Sequence, residues 1–103
     1  ITPLHRAALT RAAAGEGVTA LTNVFTGRPA RALLNRAVRE LGPISAEVPA
    51  FPLATATMGA LRARSEARAS ADFSPLWCGQ NPLACRAVPA AQRVRELAGT
   101  AAA

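Results

Sequence analysis

Residues 18–41, VTALTNVFTGRPARALLNRAVREL, constrain this chain more than any other stretch. Its first part, Val18–Phe25, gathers Val18, Thr19, Thr22, Val24 and Phe25. That β-branched and aromatic content suits a pleated, mostly buried strand. From Ala30 the period changes, and Ala30, Leu34, Ala37, Val38 and Leu41 recur at helical spacing as one apolar stripe. Between the two, Thr26 can cap, Gly27 permits a sharp turn, and Pro29 suits a first helical turn. The pattern therefore predicts a single βα step, with a helix over 30–41. Such steps belong to parallel sheets, where ligands gather at the carboxyl ends of the strands. One step cannot stand alone, and no other stretch reads as a strand. The chain is either mostly helical with one extended segment or the tail of a larger α/β protein, and the second reading is preferred.

The remaining elements read as helices. Thr2 and Pro3 open one over about 3–14, which Gly15 can end in the left-handed conformation. His5, the one histidine, lies in its first turn. A lone histidine there is a surface or capping residue rather than a general base. Pro43, Pro49 and Pro52 hold residues 43–52 as a loop. A helix is expected over 53–69, with Leu53, Thr57, Met58 and Leu61 on one side. Asp72 or Ser74 can cap a further helix over 74–87, and a last one spans 89–98 before a frayed Ala tail. Phe73, Leu76 and Trp77 supply the largest apolar surface.

Charge and cysteine content narrow the function classes. Twelve basic residues, all Arg, against six acidic ones give a net charge of +6 over 103 residues. A basic balance invites a nucleic-acid reading. The arginines are spread along helices rather than clustered, however, and Arg without Lys amid abundant Ala fits the coding bias of a GC-rich genome. Cys78 and Cys85 form no CxxC pair and have no histidine cluster, which argues against zinc and redox sites. Thiols this sparse fit a reducing compartment and a cytoplasmic protein. No stretch of the sequence reads as a signal-peptide pattern or as an apolar run long enough to span a bilayer.

Thr26-Gly27-Arg28 ahead of a helix could hold an anion, through backbone amides and the guanidinium. Equally, Arg28 could pair with a carboxylate or a neighbouring carbonyl. Trp77 is open to two roles as well, a core anchor or part of a site wall.

The run Phe25-Thr26-Gly27-Arg28-Pro29-Ala30-Arg31, followed by Asn35 and Arg36, resembles the last barrel strand and following helix of the nitronate monooxygenases. Phe51-Pro52-Leu53, and then Asp72 to Gln80 (DFSPLWCGQ), resemble the C-terminal segment of the same family. A Trp, a small residue, Gly and Gln are characteristic there. The three blocks match in order and spacing, and the resemblance runs from about Thr2 to Leu97. Around Phe51–Thr55 the family often carries Tyr and amide residues, which this chain lacks.

The resemblance implies an α/β parent fold, a TIM barrel that binds FMN and oxidises alkyl nitronates with O2 to carbonyl compounds and nitrite. A TIM barrel takes about 250 residues, so the chain is expected to be a mainly helical C-terminal fragment with one strand. Residues 1–41 are expected to supply the last helix–strand–helix steps of the barrel, and residues 42–103 a helical cap. Gly27 and Arg28 at the strand end, with Trp77, Gly79 and Gln80 in the cap, are implied to rim the cofactor and substrate site. The catalytic base and the main FMN loops are implied to lie upstream, so the fragment is expected to be inactive alone. The implied partners are a nitronate and O2, with neither nucleic acid nor membrane. The alternative is a self-contained Arg-rich helical module binding nucleic acid or an acidic protein.

Overall fold

Two paired strands organise the computed structural model, which describes residues 1–102. β1 (Thr19–Thr22) and β2 (Ala30–Leu33) are antiparallel, in the register Thr19↔Leu33, Ala20↔Ala32, Leu21↔Arg31 and Thr22↔Ala30. The expected helix over 30–41 and the expected single strand are both corrected by this hairpin. Helix begins only at α2 (Arg36–Leu41), capped by Asn35, whose side-chain oxygen accepts from the Val38 amide at 3.2 Å.

The reason is tertiary. On its second edge β2 meets the segment around Trp77 in an antiparallel bridge, Ala32↔Trp77. The Leu33 amide donates to the Leu76 carbonyl at 2.9 Å, and the Cys78 amide donates to the Arg31 carbonyl at 3.1 Å. Pairing on both edges outweighs a helical preference worth under about 1 kcal/mol per residue. The same bridge corrects the helix expected over 74–87. Leu76 and Cys78 commit their backbone groups to β2, Pro75, Pro82 and Pro89 interrupt the ladder, and only a 3-10 turn at Pro82–Ala84 forms.

Elsewhere the elements lie near their expected places. α1 (Pro3–Arg11) is capped by Thr2, with Pro3 in its first turn, and continues as a π turn (Ala12–Glu16). Gly15 there takes φ +93°. α3 spans Leu53–Ala67 and α4 spans Ala90–Ala102. The Ala tail expected to fray after residue 98 is thus helical to Ala102, and Ala103 lies outside the described residues.

Two apolar clusters hold these elements together. Val24, Phe25, Ala32, Ala37, Val38 and Met58 form one, with Phe73 and Trp77 packed against it. Ala8, Ala12, Leu33 and Leu76 form the other, which seats α1 on β2 and on the Trp77 segment. The short alanine side chains let the helix come close. Both clusters draw on residues before and after position 41.

Much apolar surface stays outside them. Val18, Leu21, Leu53, Val94 and Leu97 are each more than half exposed. The radius of gyration, 15.2 Å, exceeds the roughly 13 Å of a compact domain of this length. No helix among the described residues is long and apolar enough to cross a membrane.

Candidate functional site

The loop between the strands carries the first pair of site residues. The Gly27 amide donates to the Asn23 carbonyl at 2.9 Å, closing a turn, and Gly27 itself takes φ +96°. A side chain there would strike the backbone of the 49–51 segment, with the Pro49 carbonyl oxygen only 2.6 Å from a Cβ and the Phe51 nitrogen closer still. Glycine is therefore required twice, by conformation and by space.

Arg28 follows with its guanidinium 4.2 Å from the centroid of the Phe51 ring. The Thr26 hydroxyl accepts from the Arg28 amide and donates to the Arg28 carbonyl, each at 3.2 Å, which fixes the backbone under that side chain. The sequence left an anion, a carboxylate or a neighbouring carbonyl as the partner of Arg28. The structure supplies a cation–π contact and leaves the side chain exposed.

Trp77, Gly79 and Gln80 lie on the segment beside β2. The Trp77 ring meets Phe25 edge to face, with centroids 5.5 Å apart and planes at 87°. It is half-buried against the first cluster, so the anchoring role is filled. Gly79 and Gln80 are exposed. No atom lies within 4 Å of a Cβ built at Gly79, so nothing in this chain demands glycine there.

Phe25 connects the two groups, being buried on the strand side of the Thr26–Arg28 loop and in contact with Trp77. Arg28 itself faces Phe51, and no hydrogen bond, ion pair or ring contact joins it to Trp77, Gly79 or Gln80 among the described residues. Three surface hollows are lined by other residues. The five positions thus form two exposed edges on one packed core rather than an enclosed cavity.

The chemistry these edges offer is recognition. Arg28 presents a permanent cation with directed N–H groups, and Gln80 presents a neutral amide. Burial pushes the Cys78 thiol above its ordinary pKa, and the nearby Cys85 adds to this, while Arg31 partly opposes it. Cys78 is therefore a thiol at neutral pH and a poor nucleophile. Among the described residues no group of three or more His, Cys, Asp or Glu could hold a metal ion. For a flavin mononucleotide, a guanidinium, an amide and a half-buried indole fit the rim of a site. They do not fit a phosphate cradle.

Sequence reasoning missed two residues that position these edges. Asn23 donates from Nδ2 to the Ser45 carbonyl at 2.9 Å and accepts from the Ser45 amide at 3.0 Å, tying the hairpin loop to residues 43–45. Asn35, besides capping α2, donates to the carbonyls of Ala71 at 2.9 Å and Ser74 at 2.8 Å. An Asn directly before an apolar helical stripe is a readable cap signal. The long-range bonds leave no local trace. His5, read as a surface or capping residue, is half-buried, and its Nε2 lies 2.9 Å from the Trp77 carbonyl oxygen.

No family model matches the chain. A probable nitronate monooxygenase from Staphylococcus saprophyticus is 34% identical over 64 residues, 62% of this chain and 18% of that protein. A nitronate monooxygenase from Pseudomonas aeruginosa is 36% identical over 80 residues, 77% of this chain and 23% of that protein. Among solved structures, a nitroalkane oxidase from Streptomyces ansochromogenes superposes with a TM-score of 0.80 at 37% identity, over 96% of this chain and 28% of its own. The chain thus spans about a fifth to a quarter of the length of the curated relatives it matches. Sequence and shape agree over a hairpin-and-helix arrangement that local propensity does not produce, and the chain belongs to the nitronate monooxygenase family as a mainly helical piece of its members' α/β fold.

Proposed function

We propose that the protein to which this chain belongs is an FMN-dependent TIM-barrel enzyme that oxidises alkyl nitronates with dioxygen to carbonyl compounds and nitrite. One observation carries the reading: 96% of the chain follows the backbone of a nitroalkane oxidase at 37% identity. The large apolar side chains left exposed support it too, because the rest of such a fold would cover them. In this reading residues 1–41 supply the last steps of the barrel and residues 42–103 cap it. The enzyme is cytoplasmic and takes a nitronate and O2 rather than nucleic acid or membrane. The base and the FMN phosphate site belong to the remainder of the protein, and residues 1–103 alone are inactive.

FMN, when bound, supplies the electron transfer between nitronate and dioxygen. The residues of this chain bind and orient. A nitronate spreads its negative charge over two oxygens, which suits the N–H fork of Arg28, while Phe51 beneath holds that fork still. Gln80 adds an amide at the second edge. Gly79 permits close approach of a bound group, and Trp77 anchors the edge to the core.

The test uses the full-length protein. It is expected to purify with a flavin spectrum and to release nitrite while consuming O2 when given an alkyl nitronate. Arg28→Ala is expected to raise KM more than it lowers kcat, as loss of uniform binding does. Gln80→Ala is expected to alter flavin absorbance or turnover without unfolding. A colourless protein without nitrite release refutes the activity. Wild-type kinetics in both variants refute the rim assignment alone.

A further inference from the structure

We infer that His5 is a positioning residue for the Trp77–Gln80 edge, holding it through a hydrogen bond from Nε2 to the Trp77 carbonyl. The consequence for substrate rests on the rim reading above; the tether itself does not.

Three observations lead there. First, α1 delivers the imidazole. Thr2 accepts from the His5 amide at 3.1 Å and so sets the first turn, while Ala8 and Ala12 seat the helix against Leu33 and Leu76. Second, the backbone of the Trp77 segment needs a partner on that side. Successive carbonyls of an extended chain face opposite edges. The Leu76 carbonyl and the Cys78 amide both serve β2. The Trp77 carbonyl therefore turns away from the sheet, toward α1, where His5 meets it at 2.9 Å across 72 residues of chain. Third, the stretch just beyond is otherwise loosely held. Gly79 has no atom within 4 Å of its Cβ direction, and regular backbone bonding resumes only at the Asn81–Cys85 turn. The histidine and the Arg31 carbonyl hold the two sides of one peptide group, Trp77–Cys78, the last with long-range bonds before Gly79 and Gln80. Because the acceptor is a carbonyl, Nε2 carries the proton and donates.

The test compares His5→Phe, which keeps a ring and loses the donor, with His5→Gln, whose amide can reach a similar position. Hydrogen exchange of residues 78–81 in the full-length protein is the primary readout. Loss of one part-buried hydrogen bond is expected to speed exchange there roughly three- to tenfold in His5→Phe, with His5→Gln restoring most of the protection. In the same proteins His5→Phe is expected to raise KM for an alkyl nitronate while kcat changes less. Unchanged exchange at 78–81 in His5→Phe overturns the inference whatever the kinetics. Faster exchange in both variants also overturns it, since the ring position and not the hydrogen bond would then matter. Faster exchange in His5→Phe alone upholds the tether, and wild-type kinetics beside it refute the rim reading instead.

Discussion

Asn35 is the residue on which the two halves of this chain are joined, and its replacement gives a sharp test of the packing argument. Its side chain is nearly fully buried and makes three hydrogen bonds. The oxygen accepts from the Val38 amide, and the nitrogen donates to the carbonyls of Ala71 and Ser74. Asn35→Ala removes a helix cap, worth about 1 kcal/mol. It also strands the Ser74 carbonyl, costing roughly 1 kcal/mol, whereas the Ala71 carbonyl keeps the Ser74 amide at 3.2 Å. A loss of about 2 kcal/mol is expected, which lowers Tm by roughly 4–8 °C in a domain of ordinary size.

Asn35→Asp separates the two roles. Asp caps as well as Asn, so a residue that only capped would tolerate the change. Here a carboxylate would face two carbonyl oxygens at about the present 2.8–2.9 Å with no proton to offer. At neutral pH the variant is expected to be at least as unstable as Asn35→Ala. Burial beside carbonyls raises the pKa of the introduced carboxyl in the fold. The protonated acid regains one donor, so stability is expected to recover in part as pH falls through that raised value. Thermal melts of the full-length protein at neutral and mildly acidic pH, with hydrogen exchange over 36–41 and 71–76, provide the measurement. An Asn35→Asp protein that melts with wild type at pH 7 refutes the reasoning.

Gly27→Ala combines a positive φ with a collision against the backbone of residues 49–51. It is expected to cost more than about 2 kcal/mol, and a wild-type melting temperature would contradict that. Trp77→Ala should cost about 3 kcal/mol, at the lower end for an aromatic because the side chain is only half-buried; Trp77→Phe should recover part of it, which denaturation midpoints will show. Glu66 is held below its ordinary pKa first by the Arg62 hydrogen bond at 2.8 Å and then by the Ser74 hydroxyl at 2.7 Å. A lowered folded pKa means that the contribution is present above the usual carboxylate value of about 4.3 and is lost as pH falls through the folded value. Acid titration of stability should accordingly be flatter in Glu66→Gln than in wild type, and parallel curves would refute the assignment.

The parts legible in the sequence are those with local causes. Thr2, Pro3 and Gly15 bracket α1 because caps and turn conformations are decided within a few residues. Gly27 reads as a turn glycine for the same reason. The run Ala30–Leu34 is different, since its Ala, Arg and Leu favour helix locally and its neighbours override that preference. Those neighbours, β1 and the Trp77 segment, lie about ten and forty-five residues away along the chain. Once β2 is a strand, the helical period visible from Ala30 is only a coincidence of spacing, and its true part begins at Asn35. The extended form of Leu76–Cys78 follows from the same pairing, so the two misread elements share one cause.

The site residues divide in the same way, and the division shows what kind of edge this chain provides. Gly27 is explained within the chain, by φ and by the backbone it touches. Gly79 and Gln80 are not: nothing here crowds the one, and the other is exposed. Arg28 stands between, resting on Phe51 yet leaving its N–H edge open. An uncrowded glycine and an outward amide are at home on any protein surface; what sets this pair apart is the histidine bond just before it. On the proposed reading all three serve one edge, which a bound substrate or cofactor meets. The same logic explains why β2 is paired on both sides while Leu21 on β1 stays more than half exposed. The hairpin is finished where it carries the Trp77 segment, and on the proposed reading its open side lies against the rest of the enzyme.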